Sequence, residues 1–165
     1  GVTWEHSKDA QFAHKPWNPE YVPDSSLPKA YIFDIDGTLT EMAPTRGPFE
    51  YHKVGQDLPH YHVIEIAQAL HAAGYTILVL TGREGTQICQ TETSGWLKAF
   101  NIPHESLHFR PEKDFRKDSV VKKEMFFKHI APKYNVLGVF DDRTQVVTMW
   151  RSIGLPCFQV AQHDF

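Results

Sequence analysis

The hydrophobic pattern changes period several times between Lys29 and the end of the chain. Short apolar runs rich in β-branched and aromatic residues predict buried strands, and longer segments with apolar residues three or four positions apart predict helices. Strands are predicted at 30–35, 75–82, 107–109, 135–143 and 156–161, and helices at 61–74, 94–101, 118–132 and 144–154. Strands that alternate with helices predict a parallel sheet covered on both faces. The predicted fold is a doubly wound, Rossmann-like, three-layer α/β sandwich.

Two of the predicted helices carry signals for their ends. The first ends at Gly74, and its apolar residues Val63, Ile66, Ala67 and Leu70 lie at helical spacing. The helix at 118–132 is predicted to be capped by Asp118 or Ser119 and to stop before Pro132. Four aromatic residues lie at helical spacings, which favours packing in the core over stacking on the bases of a nucleic acid. They are Trp96, Phe126, Phe127 and Trp150.

Residues 1–28 lack this regularity. They contain Pro16, Pro19, Pro23 and Pro28, and proline removes backbone donors and disfavours helix. We therefore expect an extended lead-in or linker at 1–28 and one domain at 29–165. The chain starts without Met, which predicts a fragment of a longer protein or a processed chain.

Composition adds limits rather than a function. The hydrophobic content of 41% and charged content of 22% are ordinary for a globular protein. No apolar run approaches the roughly 18 residues of a membrane span, and no signal-peptide pattern opens the chain. Cys89 and Cys157 show no CxxC spacing, which favours a reduced, cytoplasmic protein.

One segment runs against the acidic balance of the chain. The formal net charge is −3, but residues 110–123 hold six basic and three acidic side chains, a local charge of +3. A solvated helix face and a surface for phosphates both fit this segment.

Chemically reactive groups follow three of the predicted strands. Asp34 and Asp36 end the first strand, Thr81, Gly82 and Arg83 end the second, and Asp141 and Asp142 end the strand at 135–143. Ligands of such sheets bind beyond the carboxyl ends of the strands. Strand-end capping explains the first pair alone, but not three such strand ends together.

These residue types suit the hydrolysis of a phosphate monoester. Asp34 can attack phosphorus, and Asp36 can protonate the leaving oxygen and later activate water. Asp34 with Asp141 and Asp142 offers the oxygen ligands that Mg²⁺ prefers. A lysine can neutralise the developing charge, for which Lys122 is the first choice and Lys117 the second. Gly37 is predicted to allow a sharp turn that places backbone amides towards the phosphoryl oxygens, and the Thr81 hydroxyl is predicted to donate to the same oxygens.

The motifs "DxDGT", "LTGR" and "FDDR" resemble those of the haloacid dehalogenase-like phosphatases from about residue 29 to the end. Longer stretches, including "TRGPF", "RKDSVVKKEMFFKHIAP" and "FDDRTQVVTMWRSIGLPCFQVAQHDF", resemble the phosphatase domains of bacteriophage polynucleotide kinase-phosphatases. This resemblance implies an Mg²⁺-dependent polynucleotide 3′-phosphatase that acts on DNA or RNA ends during repair, in the host cytoplasm if the gene is a phage's. It leaves open whether a 5′-kinase domain precedes residue 1 and whether the chain forms a homo-oligomer. The chain itself has no GxxxxGK[ST] loop, so 5′ phosphorylation is not expected of it.

The same resemblance assigns roles by position. It makes Asp34 the nucleophile and Asp36 the acid and base. It adds the catalytic residues Thr81, Lys122, Arg46, Arg83 and Asp118, and the metal ligands Asp34, Asp36, Asp141 and Asp142. It also implies contacts to the substrate from Gly37, Thr38, Gly82, Arg110, Arg116 and Lys117.

Two other functions remain open at this point. A related phosphatase could act on small phosphoesters, although residues 41–60 and 83–105 leave room only for small inserts rather than an enclosing cap. A non-catalytic nucleic-acid-binding module could use the basic segment, but it would not need a complete set of reactive groups. The histidine pairs His60 with His62 and His104 with His108 lack the further ligands of a zinc site.

Overall fold

A parallel β-sheet forms the centre of the protein. The computed structural model describes residues 19–41 and 57–165. Its strands are β1 (Lys29–Phe33), β2 (Thr76–Glu84), β3 (Ser106–Arg110), β4 (Asn135–Arg143) and β5 (Cys157–His163). They lie in the order β3-β2-β1-β4-β5, and every neighbouring pair is parallel. The predicted doubly wound α/β fold is confirmed.

Helices cover both faces of the sheet. They are α1 (Tyr61–Ala72), α2 (Gln87–Ala99), α3 (Asp118–Met125), which continues into a wider π-type turn at Phe126–Ile130, and α4 (Thr144–Ser152). One core cluster joins α1 and α2 to the sheet, and a second joins α3 and α4 to its other face. These clusters make the three layers.

The strand order places a functional crevice between β1 and β4. The chain runs outwards from β1 through β2 to β3, and then returns to place β4 on the other side of β1. Loops that leave two such strands in opposite directions open a crevice at the carboxyl ends. Asp34 and the pair Asp141 and Asp142 lie at these ends.

Helix details differ from the sequence predictions. On α1, Ile64 is buried and Ile66 is 41% exposed, so the face that packs on the sheet includes an isoleucine that the predicted helical spacing left out. Helix α2 begins at Gln87 rather than near Ser94, because the Thr86 side chain accepts a hydrogen bond from the Cys89 amide. Its polar first turns carry no strong apolar stripe, so the helical pattern alone misses them.

The N-terminus of α3 is also built differently. Lys117 occupies the cap position, no side chain caps the helix, and Asp118 is already its first residue. The capping prediction for Asp118 or Ser119 was therefore wrong. The Asp118 carboxylate is instead paired with Arg110 at 3.0 Å.

Part of the proline-rich lead-in packs against the domain. Tyr21 is buried, and its ring meets the Phe126 ring edge-on at 5.0 Å. Its hydroxyl accepts a hydrogen bond from the Val136 amide at 2.8 Å and donates to the Tyr134 carbonyl at 3.2 Å. Tyr21 therefore extends the core next to α3 and α4 into the lead-in.

Aromatic residues on the helices mainly fill the core. Trp96, Phe126 and Trp150 are buried, as predicted, and Phe127 is partly buried against the same core. Within residues 19–41 and 57–165, no helix is both long enough and apolar enough to cross a membrane.

Candidate active site

Three buried carboxylates meet where β1 and β4 end. Asp34, Asp141 and Asp142 each present an oxygen atom within 4.8 Å of the others. The Asp34 amide donates to the Phe140 carbonyl at 3.0 Å, which ties the end of β1 to β4. The buried Thr38 hydroxyl lies 3.1 Å from Asp34 Oδ2 and 3.1 Å from Asp142 Oδ1, so it can donate to either carboxylate. We call Asp34, Asp141 and Asp142 the carboxylate trio.

Lys122 supplies a buried positive charge beside the trio. Its Nζ lies 2.9 Å from Asp34 Oδ1 and 3.1 Å from Asp141 Oδ2, and 3.7 Å from Asp118 Oδ2 one helical turn earlier. The side chain is 2% exposed. Helix α3 packs against the sheet through Val121 and Met125. This packing carries Lys122 to the carboxyl ends of β1 and β4.

Burial and crowding shift the titration of these groups. Burial, reinforced by the Asp141 charge, raises the pKa of Asp34 well above its ordinary value, although Lys122 opposes the shift. Burial also raises the pKa of Asp141. Burial alone would lower the pKa of Lys122, but Asp141 and Asp34 outweigh that effect and raise it. The lysine therefore stays protonated, and one cation faces three carboxylates.

The turn after β1 requires glycine at Gly37. Its φ of +82° lies in the left-handed region, which costs other residues strain. A Cβ atom there would also lie 2.2 Å from Asp142 Oδ2. Gly37 therefore lets the turn pack directly against the trio.

Asp36 points to a different partner from Asp34. Arg83 holds it with two bonds, from Nε to Oδ2 at 2.9 Å and from Nη2 to Oδ1 at 2.8 Å. Arg83 is buried, and it also bonds Asp57 Oδ2 at 2.7 Å and the Thr93 hydroxyl at 2.9 Å. The guanidinium therefore fixes the Asp36 carboxylate, which is 25% exposed, relative to the core.

The Asp36 carboxylate thus lies outside the carboxylate trio. Among the described residues, the metal-type cluster contains only the trio, and the Asp36 side chain is not part of it. The predicted metal-ligand role of Asp36 has no support from its side chain. The described histidines form no such cluster either; His108 stacks on His129 with ring centroids 5.7 Å apart.

The end of β2 contributes Thr81 and Gly82. Thr81 is buried, and its hydroxyl accepts from the Arg83 amide at 3.1 Å. Gly82 lies so close to Asp118 that a Cβ atom would stand 2.2 Å from Asp118 Oδ1. Asp118 itself contacts Arg110 at 3.0 Å and Arg143 at 3.6 Å, so it connects the trio's lysine to the basic segment.

Arg110 and Arg116, which were predicted to contact the substrate, form hydrogen bonds and ion pairs within the protein. Arg110 donates to the backbone carbonyls of Gly82 at 2.9 Å, Asp114 at 3.0 Å and Arg116 at 2.6 Å. Arg116 is half-exposed and pairs with Asp114 and Glu124. These bonds organise the loop between β3 and α3. Lys117 is exposed and has no ion pair among the contacts of the described residues.

A cleft of about 470 Å³ lies beside this loop. Its lining includes Arg110, Arg116, Lys117 and Asp118, together with Phe115 and Arg143, which the sequence did not single out. The sequence also missed Asp57 and Thr93, the two further partners of Arg83. Arg143 is the last residue of the motif "FDDR", so the sequence contained a signal for it. Asp57 and Thr93 belong to no recognisable motif. Arg46, predicted to be catalytic, lies outside the described residues.

Comparisons with known proteins agree with this geometry. A sequence model described as the polynucleotide kinase PNKP phosphatase domain matches residues 28–165. A putative bifunctional polynucleotide kinase/RNA ligase from Autographa californica nuclear polyhedrosis virus is 36% identical over 140 residues. That match covers 82% of this chain and 20% of the viral protein.

Solved structures give the same result. A chain of the Pnkp1/Rnl/Hen1 complex is 39% identical with a TM-score of 0.83, and the match covers 88% of this chain and 50% of that one. A chain of the Pnkp1/Rnl/Hen1 RNA repair complex is 40% identical with a TM-score of 0.82, covering 87% and 46%. The class C acid phosphatase from Bacillus anthracis, at 14% identity and a TM-score of 0.55, shares the fold over 94% of this chain and 72% of its own. This chain therefore spans a fifth of the viral relative and about half of the matched chains of the two complexes.

Proposed function

Since the chain belongs to the family of polynucleotide kinase PNKP phosphatase domains, a haloacid dehalogenase-type phosphatase family, we propose that it removes the 3′-phosphate from polynucleotide ends. The observation that carries the mechanism is the separation of two aspartates two residues apart. Asp34 faces Lys122 in the trio, whereas Asp36 is held by Arg83 outside it. Asp34 thus lies beside a lysine among the buried acids, and Asp36 lies beside an arginine outside them, which suits two different tasks.

Asp34 acts as the nucleophile in this proposal. Its oxygen bonds to phosphorus while the bond from phosphorus to the ribose oxygen breaks. Asp36 gives its proton to that leaving oxygen. Water then attacks the aspartyl-phosphate, Asp36 takes a proton from this water, and inorganic phosphate leaves as the Asp34 carboxylate is restored. Lys122 neutralises charge on the phosphoryl oxygens, and the Thr81 hydroxyl is the proposed donor to them.

The trio fits a hard divalent cation. Its donors are all carboxylate oxygens, they are buried, and a single lysine offsets only part of their charge. Asp34 with Asp141 and Asp142 would hold Mg²⁺, the cation that accepts carboxylates together with phosphate and water. When bound, the ion supplies positive charge that offsets the repulsion between the carboxylate and the phosphate.

We expect the stabilisation by Mg²⁺ to increase with pH. The raised pKa of Asp34 and of Asp141 means that the folded state binds protons more tightly than the unfolded state. The stability from these groups is complete below the ordinary carboxyl pKa of 3.8 and is lost as pH rises through the raised values. Mg²⁺ needs the ionised carboxylates and offsets this loss, so its increase of Tm should be larger at about pH 8 than at about pH 5.

Thermal unfolding with Mg²⁺ and with EDTA measures this effect. Asp141→Asn removes one donor and should reduce the increase, whereas Glu105→Gln, at an exposed position, should keep it. An equal increase of Tm at both pH values would contradict the trio as the binding site. EDTA should also abolish turnover. Ca²⁺ should not restore it, because Ca²⁺ takes about six to eight ligands in a flexible geometry, whereas Mg²⁺ requires a nearly ideal octahedron.

Asp57→Asn should slow substrates with poor leaving groups selectively. Asp57 touches Arg83, not the reacting atoms, so it is a positioning residue for Asp36. We expect kcat for a ribose phosphate ester to fall about tenfold and kcat for an activated aryl phosphate to fall less, because the aryl leaving group needs little protonation. Asp36→Asn should show the same selectivity with a larger loss. An equal loss on both esters would show that Asp57 serves stability alone.

The substrate class rests on the family and on the short connections around the site. The connection from β2 to α2 consists of Gly85 and Thr86 only, which leaves no room for a cap at that point. Residues 42–56 are too few for a second core. We therefore propose DNA or RNA 3′-phosphate ends as substrates, in cytoplasmic end repair, with a kinase or ligase activity on the same protein or in a partner.

The decisive experiment compares isomeric oligonucleotides. Phosphate release is measured from a 3′-phosphorylated oligonucleotide, its 5′-phosphorylated isomer and a set of sugar phosphates, with DNA and RNA versions of each oligonucleotide. The proposal requires a higher kcat/KM for the 3′-phosphate than for the 5′-phosphate and the sugar phosphates. A preference for sugar phosphates would support a small-molecule phosphatase, and the absence of turnover would support a binding module.

A further inference from the structure

Phe115 is the most exposed large hydrophobic side chain among the described residues, at 84%. It lies in the loop between β3 and α3, at the lining of the 470 Å³ cleft. Single exposed hydrophobic residues are common on proteins, but Phe115 shares the cleft lining with Arg110, Lys117 and Arg143. This combination of an aromatic face and cations suits a ligand that carries both a flat apolar ring and a negative charge.

The loop presents this ring on a firm support. Arg110 donates to the carbonyls of Asp114 and Arg116, on both sides of Phe115. Arg116 pairs with Asp114 at 2.8 Å and with Glu124 of α3, and Lys113 donates its amide to Glu84 of β2 at 2.9 Å. The neighbours of Phe115 are bonded to β2, β3 and α3. The exposure of the ring is thus a property of an organised loop.

The cleft adjoins the proposed reaction centre through Asp118. Asp118 lines it, and Asp118 Oδ2 lies 3.7 Å from Lys122 Nζ, which in turn lies 2.9 Å from Asp34. Lys117 and Arg143 also line the cleft, and Lys117 is exposed. A nucleotide whose phosphate lies at Asp34 and whose sugar and base lie in this cleft would meet cationic side chains that suit its backbone.

We propose that Phe115 stacks on the nucleobase of the 3′-terminal nucleotide, and that the cleft is the binding site for this end of the polynucleotide. This inference rests on the proposed function. Every base has an aromatic face, so the contact selects polynucleotide ends without selecting their sequence. It also explains how the site distinguishes a nucleotide end from a small phosphoester that lacks a base.

The test pairs a protein change with a substrate change. Phe115→Ala and the wild-type protein are compared on two 3′-phosphorylated oligonucleotides that differ only in whether the terminal nucleotide carries a base or an abasic tetrahydrofuran. A stacking contact is worth about 1–3 kcal/mol, so Phe115→Ala should raise KM for the intact substrate about 5- to 150-fold. It should leave KM for the abasic substrate nearly unchanged.

Two further variants separate stacking from general effects. Phe115→Trp keeps an aromatic face and should retain the preference for the intact end. Ile88→Ala changes another exposed hydrophobic residue, which is 66% exposed and outside the cleft lining, and should change neither KM. An equal rise of KM on both substrates, or none on either, would overturn the proposal.

Binding distinguishes this proposal from the proposed function. If the wild-type protein released no phosphate from either oligonucleotide, the proposed function would fail while stacking stayed measurable by fluorescence anisotropy. Wild-type binding should then be weaker for the abasic oligonucleotide, and Phe115→Ala should remove that difference. Equal binding of the two oligonucleotides by the wild-type protein would overturn the stacking proposal on its own.

Discussion

Asp34→Asn is expected to reduce phosphate release from every substrate to background. The amide has nearly the size of the carboxylate, but it lacks the negative charge that attacks phosphorus and that a divalent cation requires. No neighbouring group replaces it, because Asp36 is held by Arg83 and Asp141 is not on the same turn. The measurement is phosphate release under single-turnover conditions, and persistent turnover would refute the covalent mechanism at Asp34.

The fold should tolerate this change. The introduced carboxamide could turn its oxygen towards Lys122 and its NH₂ group towards the Thr38 hydroxyl, which would keep both hydrogen bonds that the Asp34 side chain makes. The substitution also removes one of three crowded negative charges, so the Tm of the metal-free variant should equal or exceed that of the wild-type protein. Glu65→Gln, at an exposed carboxylate on α1, is the control and should keep both activity and Tm.

Lys122→Met is expected to lower both activity and stability. Removal of one charged group that stabilises the transferring phosphoryl group costs about 10²–10³-fold in kcat, and this loss should be the same for an oligonucleotide and an aryl phosphate. The trio also loses the ammonium group that lies 2.9 Å from Asp34 and 3.1 Å from Asp141. Breaking a buried ion pair in this way costs about 3–5 kcal/mol of unfolding free energy.

The neighbouring lysine provides the control for this variant. Lys123 follows on the same helix, but it is 37% exposed and pairs with Glu20 near the surface. Lys123→Met removes the same charge and should change kcat little and stability by less than about 1 kcal/mol. If Lys122→Met slowed the oligonucleotide alone, Lys122 would belong to the binding surface rather than to the reacting centre.

The convergence of the trio and Lys122 could be predicted from the sequence because few arrangements satisfy it. Parallel strands share one carboxyl edge, so acids that end β1 and β4 must approach each other. Lys122 lies one turn after Asp118 on an amphipathic helix, and that spacing carries it to the same edge.

The partners of the arginines could not be predicted in the same way. Arg83, Arg110 and Arg116 carry equal charges, but one is buried among acids, one binds backbone carbonyls and one bridges surface acids. These differences depend on loops that approach one another only in the folded protein. The basic segment at 110–123 provides part of the cleft lining, but the sequence alone could not show which of its cations are bonded within the protein.

The beginning of the chain shows that a family boundary and a folding boundary can differ. The matched family begins at residue 28, but Tyr21 fills a place in the core against Phe126 and bonds the backbone at Val136 and Tyr134. Loss of a large buried aromatic side chain costs about 3–5 kcal/mol, a large part of the stability of a single domain. A chain cut at the family boundary would keep every reactive group at the crevice and lose the support behind α3. The region that carries the reactive residues is thus shorter than the region that the stable fold requires.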